Sequence, residues 1–67
     1  MTEQEMAYIN ELYPTVRRDE FTLIGSHGDI AVYEHKDLGR VAVGPNVGDE
    51  GPATFDESRI AEFLESV

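Results

Sequence analysis

Along this chain the spacing of apolar positions changes twice, from helical to alternating and back. Met6, Ile9, Leu12 and Tyr13 recur at steps of three and four, which predicts an amphipathic helix from about Glu3 to Tyr13. Thr2 and Glu5 form a capping box at its start, each side chain answering an orphan amide of the other. Pro14 ends it, because the residue before a proline is pushed toward extended geometry. Glu3, Asn10 and Glu11 are left to solvent. Ile60, Phe63, Leu64 and Val67 repeat the helical spacing and predict a second helix over about Asp56 to Ser66. Two start signals compete there: a Thr54/Glu57 capping box, or Asp56 as N-cap with Phe55 stapled against Ile60.

Between the helices the period drops to two. Phe21–Ile24 and Ile30–Tyr33 are rich in β-branched and aromatic residues, and Gly25–Asp29 between them suits a tight hairpin. A loop centred on His27 and Gly28 sets Leu23 opposite Val32 and gathers Phe21, Leu23, Ile30 and Val32 on one face. A four-residue turn, Lys36–Gly39, then places Val41 opposite Glu34 and Val43 opposite Val32, extending that face. Thr22, Ala31, Tyr33, His35 and Arg40 fall on the other side, toward water. A slip of one residue at this turn would carry Val41 and Val43 across. The expectation is an α+β fold: helix, three-stranded antiparallel meander, helix, with both helices on one face of the sheet in two layers. Residues 1–67 form a single domain, of a size that buries only about 60% of its unfolded surface.

The remaining segments are connectors. Val16 pins the link after the first helix to the core, and Arg17-Arg18 answers neighbouring carboxylates. Gly44–Ala53 holds three glycines and two prolines, which excludes helix and strand interiors; Val47 tucks inward and Asp49-Glu50 sits at an exposed tip.

Charge changes the picture most. Fourteen acidic residues face five basic ones, a net charge of −9. Such a surface repels nucleic acid and anionic lipid and draws cationic protein surfaces, over about 8 Å at physiological salt. No apolar run approaches the roughly 18 residues that cross a bilayer, and the first residues do not read as a signal peptide. With no cysteine, disulfides and thiolate metal sites are excluded, and the expected setting is the cytoplasm.

Candidate chemistry is sparse. Ser26, His27 and Asp29 lie side by side, but a catalytic triad is a spatial arrangement with a buried aspartate, and four consecutive turn residues do not supply it. His27 and His35, one at a loop tip and one on the outer face, read as ordinary surface histidines. Asp49, Glu50, Asp56 and Glu57 lack the alternating oxygens of a dedicated cation loop. The chain therefore reads as non-enzymatic, with no cofactor and no metal.

Three readings of the acidity remain. In the first, Asp49, Glu50, Asp56, Glu57, Glu62 and Glu65 form a partner-binding surface that imitates nucleic-acid phosphates and occupies a basic groove. In the second, the charge serves solvation, as in adaptation to high salt. In the third, the chain is a small regulatory or antitoxin-like protein whose protomers pair through an edge strand such as Val41–Val43. Size, acidity, lack of cysteine and the helix–hairpins–helix order resemble the small phage-encoded anti-CRISPR proteins. That resemblance implies an inhibitor in the host-cell cytoplasm that blocks target-DNA binding by a CRISPR surveillance complex, as a monomer or an edge-strand homodimer. It carries over no individual residue.

Overall fold

A computed structural model describes residues 1–45, 47 and 51–65. In chain order it holds helix α1 (Glu3–Leu12), a 3-10 turn (Arg18–Glu20), strands β1 (Phe21–His27), β2 (Ile30–His35), β3 (Gly39–Val43) and β4 (Ala53–Thr54), and helix α2 (Glu57–Glu65). The fold is α+β, and its strands form one antiparallel sheet in the order β1-β2-β3-β4. Four strands are present where three were expected. The fourth is two residues long, too short to show alternation, and pairs Ala53 with Val43 and Thr54 with Ala42.

The register differs at both turns. The first hairpin closes on Gly28-Asp29, one residue later than expected, with Gly28 at φ +60° in the first central position, as a type II′ turn requires. A bulge between Leu23 and Gly25 then shifts the ladder, so Leu23 faces Tyr33 and Gly25 faces Val32. The second loop has three residues, Lys36–Leu38, and ends on Gly39 at φ +81°. His35 pairs with Gly39 and Val41 with Tyr33. That is the one-residue slip, and it carries Val41 and Val43 to the face of Ala31 and Tyr33.

Both faces of the sheet are consequently apolar, and each takes one helix. Met6 and Ile9 of α1 pack with Val41, Val43 and Ala53, flanked by Phe21, Ala31, Tyr33 and Phe55. Ile60 of α2 packs with Val32 and Ala42, flanked by Ile30, Phe63 and Leu64. The helices do cover the sheet, but from opposite sides, so the fold has three layers instead of two. Ile9, Val41, Ala42 and Ile60 are fully buried; burial of a side chain as large as Ile contributes about 1.5–3 kcal/mol.

Local signals at the helix ends are realised. The Thr2/Glu5 capping box is formed in both directions. At α2 it is Asp56 that caps, its Oδ1 accepting the Ser58 N–H at 3.0 Å while its carbonyl accepts from Ile60. Phe55 turns to the α1 side and meets Tyr13 edge-on at 5.3 Å. Leu12 and Tyr13, assigned to the apolar stripe of the first helix, are exposed at 53% and 38%: α1 packs through Met6 and Ile9 and ends at Leu12, with Tyr13 as its C-cap. Val47 is buried, as expected. Val67 lies outside the described residues.

Candidate functional site

Of the six candidate partner-binding acids, Asp49 and Glu50 lie outside the described residues. The other four sit at the start and along the outer side of α2, which Ile60 and its neighbours seat rigidly on the sheet. Asp56 and Glu57 have structural tasks. Asp56 caps the helix, and Glu57 receives both Nε and Nη2 of Arg40, at 3.2 and 2.6 Å, tying the first turn of α2 to β3. Glu62 and Glu65 are exposed and point away from Ile60. Three residues apart on a helix, they are neighbours, with Cβ atoms about 5–6 Å apart.

Acids also stand on the far side of the molecule. Glu3 and Glu11 are exposed on α1, which covers the opposite face of the sheet. Asp19, Asp29, Glu34 and Asp37 are exposed as well, so the anionic surface is spread around a body measuring 31 × 23 × 18 Å. Three of the five basic side chains are engaged within the fold: Arg17 with Asp19 at 3.8 Å, Arg40 with Glu57, and Arg59 donating to the Val47 carbonyl at 2.9 Å.

His35 was expected on the water-facing side and is instead 3% exposed. The register change explains this, since the face of Tyr33 and His35 is the one that α1 and Phe21 cover. The His35 ring lies 5.0 Å from that of Phe21, and its Nε2 meets Glu20 Oε1 at 3.1 Å. The same carboxylate accepts the Arg17 N–H at 3.0 Å. That backbone bond, then the bond to His35, hold Glu20 below the ordinary carboxylate range. His27 stays exposed at the end of β1. Ser26 and His27 pair with Ala31 and Ile30, so their side chains leave opposite faces of the sheet.

A further feature went unread in the sequence: an open cleft of about 310 Å³ lined by His27, Gly28, Asp29, Ile30 and Pro45. It forms where the first hairpin meets the exit of β3, a juxtaposition that only the fold creates. Among the described residues, no helix is long and apolar enough to cross a membrane. No protein-family model, curated protein or solved structure matches the chain.

Proposed function

We propose that this chain is a non-enzymatic binding protein that docks its anionic surface into a cationic groove of a nucleic-acid-binding protein or complex, in competition with the nucleic acid. The observation that carries the reading is the pairing of a net charge of −9 with the outer side of α2, where Glu62 and Glu65 project from a helix anchored by Ile60. A fixed display of carboxylates steers and orients a cationic partner without rearrangement of the backbone. Asp56 and Glu57 add charge at the foot of the same helix while holding it in place. The resemblance to anti-CRISPR proteins makes a CRISPR surveillance complex the first partner to examine, with the chain acting as a monomer in the host cytoplasm.

The test is displacement of a fluorescent target duplex from guide-loaded surveillance complexes by the wild-type chain and by the Glu62→Lys/Glu65→Lys variant. The reading expects displacement by the first and its loss in the second. Adaptation to high salt has a different signature, a domain that unfolds at low ionic strength and refolds in molar salt.

A further inference from the structure

Strand β1 is the long free edge of the sheet. It stands first in the strand order, so among the described residues one of its two rows of backbone N–H and C=O groups has no strand beside it, whereas the opposite edge, β4, is two residues long. Its seven residues offer a ladder of about 23 Å. Edge strands are commonly blunted by charged side chains, yet Phe21–Gly28 contains no lysine, arginine or acid. Leu23 and Ile24 are instead exposed at 56% and 42%. The turn that ends the strand carries the exposed Asp29.

We propose that β1 accepts an extended, cationic segment of the partner as a fifth strand, with an Arg or Lys side chain at its end beside Asp29. This rests on the reading above that the partner is cationic, and it adds where and how that partner is gripped. Main-chain hydrogen bonds along β1 supply affinity, and Leu23 and Ile24 cover apolar side chains of the added strand. The charged head of that basic residue reaches the Asp29 carboxylate in the turn. A second copy of the chain fits this edge less well. It brings together two bodies each of net charge −9, and the bulge at Ile24 bends the edge in a way that a flexible segment follows more readily than a second rigid sheet.

The test uses the isotope-labelled full chain and a synthetic peptide of alternating threonine and valine with arginine at each end. Amide shifts are expected to concentrate between Phe21 and Ile30, to saturate, and to vanish with a peptide carrying glutamate in place of arginine. Asp29→Lys is expected to weaken binding by about tenfold, a typical cost for one facing charge, with its circular dichroism unchanged; Asp29→Asn gives a smaller loss and serves if the lysine variant folds poorly. Shifts confined to α2 around Glu62 and Glu65 would overturn the proposal, as would binding indifferent to Asp29. So would a dimer of the chain alone whose interface maps to β1. Failure of the peptide together with intact duplex displacement removes the β1 site and leaves the proposed function standing. A β1 response with no displacement does the reverse.

Discussion

His35 and Glu20 are joined across the sheet edge by a bond of 3.1 Å from Nε2 to Oε1, and the other ring nitrogen of His35 closes the next turn. Nδ1 accepts the backbone N–H groups of Asp37 and Leu38 at 3.0 and 3.2 Å. Because Nδ1 accepts twice, the ring proton resides on Nε2, where it is donated to Glu20. One buried side chain therefore holds the β2–β3 loop to three residues, and that loop length fixes which face Val41 and Val43 occupy. His35→Phe puts a somewhat larger apolar ring in its place and orphans the two turn amides. A loss of about 1–3 kcal/mol in urea unfolding is expected, and nitrogen chemical shifts of the wild-type ring should report the Nε2–H tautomer.

Glu20 gives the fold an acid-side dependence. Its carboxyl titrates below the ordinary range, through the Arg17 N–H first and His35 second. A carboxylate lowered in the folded state binds fewer protons than in the unfolded chain, so its stabilisation is fully present above the unfolded value. It is lost as pH falls through the lower, folded one. Glu20→Gln should lower the unfolding midpoint near neutrality and flatten that part of the acid unfolding curve, the variant and the wild type converging at low pH.

Charge reversals along α2 should separate structural acids from displayed ones. Arg40 and Glu57 are 35% and 60% exposed, so solvent screens the pair and Glu57→Ala should cost about 0.2–1 kcal/mol. Glu62→Lys/Glu65→Lys should stay within about 0.5 kcal/mol of wild type per substitution. Thermal unfolding of the variants measures both.

Much of the fold was legible because local signals agree with it. The Thr2/Glu5 box, the stop at Pro14 and the stripe of Ile60, Phe63 and Leu64 each acted where the sequence put them, and both glycine-bearing turns exist, each displaced by one residue. Layering was not legible, since it depends on parity. One residue fewer in the second loop reverses the faces of β3, and a bulge at Ile24 has no sequence signature beyond the neighbouring Gly25. One clue was available: Val41-Ala42-Val43 is an unbroken apolar run, the mark of a strand buried on both faces. Of the candidate site, the exposure of Glu62 and Glu65 could be read from helical spacing. The ion pair of Glu57 could not, because its partner lies seventeen residues away.

The same correction changes what proline does in β3. As an edge, Val41–Val43 would tolerate Ala42→Pro and lose only a dimer contact. In the sheet, Ala42 pairs with Val32 on one side and Thr54 on the other. Proline there removes a ladder donor from an interior strand, and the variant is expected to be largely unfolded by circular dichroism.

Competition for a cationic groove tests the anionic-surface reading most directly. Guide-loaded surveillance complexes are held with a fluorescent target duplex, and duplex release is followed as the chain is added at physiological salt. Release by the wild-type chain and its loss on Glu62→Lys/Glu65→Lys, in a protein still folded, is the expected result. Retention of the duplex throughout, or release that the two reversals leave unchanged, would contradict it.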